Sequence, residues 1–124
     1  MIKLQDQEAV AFLRGRNTVR DGRLVALSVH DDEGFEPTVR LEFHVPRGTE
    51  GSRYTLELRG ALEFDYGFSS DYAFSQIAMV KVLWADESKF YISLDPWKES
   101  EDFISEQDND CFRANSVKLT VERA

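Results

Sequence analysis

Strict alternation of apolar and polar residues recurs along this chain, and it dictates strands. Thr38 to Val45 is the clearest case: Val39, Leu41, Phe43 and Val45 point one way, and Arg40, Glu42 and His44 the other. Successive side chains of a strand leave on opposite faces, so this pattern makes a sheet with one dry and one wet face. Tyr54, Leu56 and Leu58 alternate in the same way with Thr55, Glu57 and Arg59. Leu24 to His30 sets Val25, Leu27 and Val29 against Ala26, Ser28 and His30. Phe90, Ile92 and Leu94 form another inward set, and Val117, Leu119 and Val121 a last one. Leu62, Phe64 and Tyr66 continue beyond Gly60, which marks a bulge. Ile77 to Trp84 is apolar on both alternating sets, which predicts a strand covered on both faces, by the N-terminal helix or a loop on its second side.

The segments between these runs have turn chemistry. Arg20-Asp21-Gly22-Arg23, Asp31-Asp32-Glu33-Gly34 and Ala85-Asp86-Glu87-Ser88 read as turns, and Pro46 ends the strand before it. Residues 1–16 read as a short helix, with Asp6 as its cap and Ala9, Val10, Phe12 and Leu13 on one side. Gly15 would stop it by taking the left-handed conformation. Asp95 to Asp110 sets seven acids against Lys98 alone, with Trp97, Phe103 and Ile104 able to pin it as a short helix or an ordered loop. The expected architecture is mainly β: an antiparallel β-sandwich or partly open barrel of about seven strands with a short N-terminal helix. One domain over residues 1–124 is expected, with the helix in 1–16 and the β-domain in 20–122.

Composition narrows the classes of function. Fifteen Lys+Arg against 23 Asp+Glu give a net charge of −8, so nucleic-acid backbones and anionic membrane surfaces are not expected partners. A basic partner would be attracted. One cysteine, Cys111, can form no internal disulfide. Met1 to Glu8 lacks the basic and apolar parts of a secretory leader, and no apolar run reaches the ~20 residues of a membrane span. A cytoplasmic protein is the expectation.

No motif in the chain carries a chemistry of its own. Glycine-rich phosphate loops, G-x-S-x-G and C-x-x-C are all missing. His30 and His44 lie on the polar faces of two neighbouring runs, near Asp31, Asp32 and Glu42; they would serve as a carboxylate-oriented base or half a metal site, but no third ligand is spaced to join them. A nucleophilic thiol needs positive surroundings, and Cys111 stands among acids, as a half-buried filler would. Asp108-Asn109-Asp110 lacks the glycine of a calcium loop. The expectation is therefore a protein that is not an enzyme, with no catalytic residue, no metal and no cofactor.

Aromatic residues suggest a working surface instead. Tyr66, Phe68, Tyr72 and Phe74 crowd into an irregular segment, and Trp97 and Phe103 interrupt the acidic one. Aromatic anchors within an acidic rim are what a basic protein partner would meet, so the candidate binding residues are Phe68, Tyr72, Trp97, Glu99, Glu101 and Asp102. A small apolar ligand held inside a barrel is the alternative, and self-association through an edge strand is compatible with either. The phrases Asp21-Gly22-Arg23-Leu24, Val39-Arg40-Leu41-Glu42-Phe43, Phe64-Asp65-Tyr66-Gly67-Phe68 and Phe90-Tyr91-Ile92-Ser93-Leu94-Asp95-Pro96, in this order, resemble small bacterial β-proteins. Some of these look like immunity proteins of polymorphic toxin systems. Such families often show a His-Asp pair before the first strand, where this chain has Arg20-Asp21. The resemblance, one of layout over most of residues 20–122, implies a non-enzymatic acidic inhibitor that occludes a toxin.

Overall fold

The alternating runs pair as the pattern requires. The structure, a computed structural model, describes residues 1–32, 36–60, 62–67, 76–87 and 89–123. Arg23–Asp32 (β2), Glu36–His44 (β3), Arg53–Arg59 (β4) and Ser116–Glu122 (β9) join Ile2–Gln5 (β1) in a five-stranded antiparallel sheet, in the order β1-β9-β4-β3-β2. Glu63–Asp65 (β5), Lys81–Ala85 (β6), Lys89–Asp95 (β7) and Asn109–Ala114 (β8) form a second, in the order β5-β8-β7-β6. The two sheets do not close into a barrel. Val39, Leu41, Phe43, Leu56, Leu58, Leu119 and Val121 from the first sheet meet Val82, Phe90, Ile92 and Phe112 from the second in one buried core.

Two short strands depart from the expected layout. Residues 2–5 lie in β1, so the helix, α1, spans Asp6–Arg14 only. Asp6 does not cap it: Asp6 has φ +50°, and its Oδ1 accepts a hydrogen bond from the Val117 N–H at 3.0 Å. Gly15 ends the helix with φ −101°, not in the left-handed region. Ala9, Val10 and Leu13 enter the core, and α1 touches both β9 and β6, so a helix too short to stand alone closes one side of the molecule. The other unexpected strand is β8, taken from the end of the acidic segment.

Gly60 is a corner. It has φ +78°, and a Cβ there would come within 2.9 Å of the Asn115 Cβ. The Asn115 N–H donates to the Gly60 carbonyl at 2.7 Å. Here the chain leaves β4 for β5 and, alongside, leaves β8 for β9, so both crossings between the sheets lie together. A real bulge falls elsewhere, in β2 between Leu24 and Ala26. It breaks the expected Val25-Leu27-Val29 set: Leu24 takes the buried position opposite Phe43, and Val25 is exposed. Among the described residues no helix is long and apolar enough to cross a membrane.

Candidate functional site

One face of each sheet is spent on the core, which leaves the outer face of the second sheet to carry other work. Cross-strand pairs Lys81–Ser93, Leu83–Tyr91, Tyr91–Arg113 and Ser93–Cys111 share that outer face. Lys81, Leu83, Tyr91 and Ser93 are nevertheless buried. What covers them is the acidic segment, residues 96–108, laid across β6 and β7 as an ordered loop without a helix. The doubly covered strand read from Ile77 to Trp84 is thus present, though only Lys81–Ala85 pairs as strand.

A single carboxylate fastens this strap. The Asp108 side chain is fully buried and accepts from the Lys81 ammonium at 2.9 and 3.1 Å. It also accepts from the Tyr91 hydroxyl at 2.8 Å, the Trp97 N–H at 2.8 Å and the Ser105 N–H at 3.1 Å. Lys81 places its remaining hydrogens on Glu101 Oε1 at 3.0 Å and the Phe103 carbonyl at 3.1 Å. Every donor and acceptor has a partner, the condition under which a buried ion pair is tolerated. Burial alone would raise the Asp108 carboxyl, but the Trp97 N–H, Lys81, Tyr91 and Ser105 outweigh it and hold it below the usual carboxylate range. Burial would likewise lower the Lys81 ammonium, and Asp108 with Glu101 raise it instead. The Tyr91 phenol is pushed far up, first by burial and then by its contacts with Cys111 and Asp108. Because that phenol proton faces Asp108, the Cys111 thiol, 3.1 Å away, is left to donate to the phenol oxygen.

The sequence-predicted binding residues fall into three groups. Phe68 and Tyr72 lie outside the described residues, as does Phe74. Trp97 is 56% exposed and Phe103 61%, both carried by the strap. The acids are engaged within the chain. Glu99 takes the Arg20 guanidinium at 3.2 Å and the Val80 N–H at 2.9 Å, Glu101 takes Lys81, and Asp102 takes Arg14 at 2.9 Å. They tie the strap to the sheet and to the end of α1 as well as carrying charge.

Beside the strap is an open groove of about 840 Å³. Trp84, Phe103 and Ile104 supply its apolar wall, and Asp86, Glu87, Asp102 and Glu106 its acidic side. Arg113, whose guanidinium lies 5.7 Å from the centre of the Tyr91 ring, is the only cation lining it among the described residues. Asp86, Glu87 and Glu106 make no ion pair among the described residues. A smaller cleft of about 180 Å³ opens over Tyr91 and Cys111, and one of about 290 Å³ lies between α1 and β6. None of these clefts is lined by Leu41, Phe43, Leu56 or Phe112, so they lie outside the main core.

Other candidates are separated by the fold. His30 pairs with Thr38 and His44 with Arg23, so the two histidines sit six positions apart along the hairpin, about 20 Å, and both are exposed. The acids of Asp108-Asn109-Asp110 are already committed, Asp108 to Lys81 and Asp110 to the Gly67 N–H at 2.9 Å. Burial raises the Asp110 carboxyl, the Gly67 N–H partly offsets this, and Asp95 and Asp65 raise it further. Among the described residues no group of three or more His, Cys, Asp or Glu is arranged to hold a metal.

The latch was missed in the sequence, although one signal pointed to it. Lys81 interrupts a run otherwise apolar on both sets, and a charge in a doubly covered strand must find a buried counter-charge. Comparison with protein-family models, curated proteins and solved structures finds no match.

Proposed function

We propose that the chain is a protein-binding module that presents the strap and its groove to a basic partner. The observation that carries this reading is a pair of large aromatic side chains, Trp97 and Phe103, held exposed on a segment fixed by a buried ion pair. Exposed aromatics on a loop normally lose binding energy to ordering; here the latch has already fixed the backbone on which they stand. The groove beside them is acidic, and Asp86, Glu87 and Glu106 keep their charge available to steer a cationic surface. Apolar anchors with charge around them form the usual anatomy of an interface. In line with the resemblance to immunity proteins, the module would act by occluding a toxin, with no chemistry of its own.

Capture from the native host, or co-expression with the product of the neighbouring gene, tests this. A basic protein should bind with strong salt dependence. Trp97→Ala and Phe103→Ala should each weaken binding by about 2 kcal/mol, roughly thirtyfold. Glu87→Gln with Glu106→Gln should slow association and flatten its salt dependence, with little change in dissociation. A partner that binds equally well to the Trp97→Ala, Phe103→Ala double variant, or whose association ignores salt, would rule the reading out.

A further inference from the structure

The groove beside the strap does not end at Arg113. Ser105, Glu106 and Arg113 line both it and the smaller cleft over Tyr91 and Cys111, so the two join there into one furrow. The sheet register gives its course. Leu83 pairs with Tyr91, Tyr91 with Arg113 and Arg113 with Glu63, so one row of outer-face residues crosses all four strands from β6 to β5. Leu83 and Tyr91 are buried at one end of that row, and Glu63 stands exposed at the other. Three strand spacings separate β6 from β5, about 14 Å, a distance that roughly four or five extended residues span.

Charge along the furrow is nearly all of one sign. Asp86, Glu87 and Glu106 line the groove, and Glu63 and Asp65 line the far cleft. Glu63 pairs with Arg113 and Asp65 with Cys111, so both acids share the outer face, and both are exposed. Among the described residues none of these five acids makes an ion pair, and neither does Arg113, the one cation lining either cleft. Aromatic surface lies beside the acids at both ends: Phe103 in the groove and Phe64, 41% exposed, in the far cleft. A ring next to a carboxylate suits a guanidinium, which stacks flat on the one and forks onto the other, whereas an ammonium holds its water more tightly. Acids at both ends of a narrow course match a linear chain with separated cations better than one compact ligand.

Resting on the reading that the groove serves a basic protein, we propose that the part of that protein lying in the furrow is an extended, arginine-bearing segment. Arginines at one end of the segment meet Asp86 and Glu87 beside Phe103. Arginines at the other meet Glu63 and Asp65 beside Phe64. Arg113, midway, donates to the backbone carbonyls of the segment passing over it, so the residue above it is not basic.

The capped peptide Arg-Arg-Gly-Arg-Arg, titrated into the full chain and followed by backbone amide shifts and by tryptophan fluorescence, tests the proposal. Shifts should appear at both ends of the furrow, at residues 85–87 and 63–65. The peptide Lys-Lys-Gly-Lys-Lys should bind about threefold more weakly. Glu63→Gln with Asp65→Asn should weaken the arginine peptide about tenfold, roughly threefold for each exposed carboxylate, with an unchanged melting midpoint. An arginine peptide that binds no better than Ser-Ser-Gly-Ser-Ser, that is matched by the lysine peptide, or that ignores the Glu63→Gln, Asp65→Asn change overturns the proposal. The same variant separates it from the reading it rests on. A captured host protein that needs Trp97 and Phe103 but binds the Glu63→Gln, Asp65→Asn variant unchanged overturns the extended segment and leaves the binding module standing.

Discussion

Once both faces of β6 are covered, a lysine in that strand has no water to carry its charge, and Lys81 is stable only because Asp108 and Glu101 meet it. Replacing one partner is therefore worse than replacing both. Lys81→Met should cost about 3–5 kcal/mol by leaving Asp108 buried and unpaired, and adding Asp108→Leu should recover much of that in urea unfolding. The pH dependence follows from the same pair. A carboxyl held below its ordinary range contributes stability above that range and loses it as pH falls through the folded value. Lys81, held high, keeps its contribution until pH rises above the ordinary lysine range. Stability should thus decline below about pH 4, and the Lys81→Met, Asp108→Leu variant should show a shallower decline by tryptophan fluorescence. Tyr54 is the opposite case. Its hydroxyl is buried beside the core, with no hydrogen-bond partner among the described residues, and burial followed by Glu50 pushes its phenol up. Tyr54→Phe removes that orphan group and should raise stability by about 1 kcal/mol, read from the urea midpoint. The inward residues Val39, Leu41 and Phe43 were legible because burial follows alternation. The role of Asp108 was not, because nothing in a run of seven acids marks the one that turns inward.

At the scale of elements, legibility followed how much of a strand faces the core. β3, β4, β7 and β9 each bury an alternating apolar set, and their sequences announce it. In β8 only Phe112 and Ala114 turn inward; Cys111 and Arg113 face the strap, so the strand reads as the tail of an acidic loop. β1 has Ile2 and Leu4 half-buried and is too short to separate from the helix that follows it. The Gly60 corner was legible as an interruption but not as a change of sheet, since a bulge and a corner use the same residue. Its conformation gives a direct test. Gly60→Ala demands a side chain at φ +78° against Asn115 and should cost about 1–3 kcal/mol, measured as a lowered melting midpoint.

For the whole molecule, the charge of −8 has an internal use. Glu99, Glu101, Asp102 and Asp108 are drawn onto Arg20, Lys81 and Arg14, so a strap too polar to pack like a core segment is still fixed in place. Asp86, Glu87 and Glu106, which line the groove, are not among the acids consumed in this way. The overall class was readable from periodicity; the candidate face was readable only in part, because it depends on which acids the body of the protein consumes.

The shared crossing at Gly60 and Asn115 makes the molecule a book bound along one spine. The facing pages are stitched there by continuous chain, while across the sheet, at β6, α1 serves only as a clasp resting on both covers. Such a binding opens from the clasp side. Amides of α1 and β1 should therefore exchange with deuterium well before those of β4 and β9, and a tighter clasp should slow unfolding more than any change made at the spine.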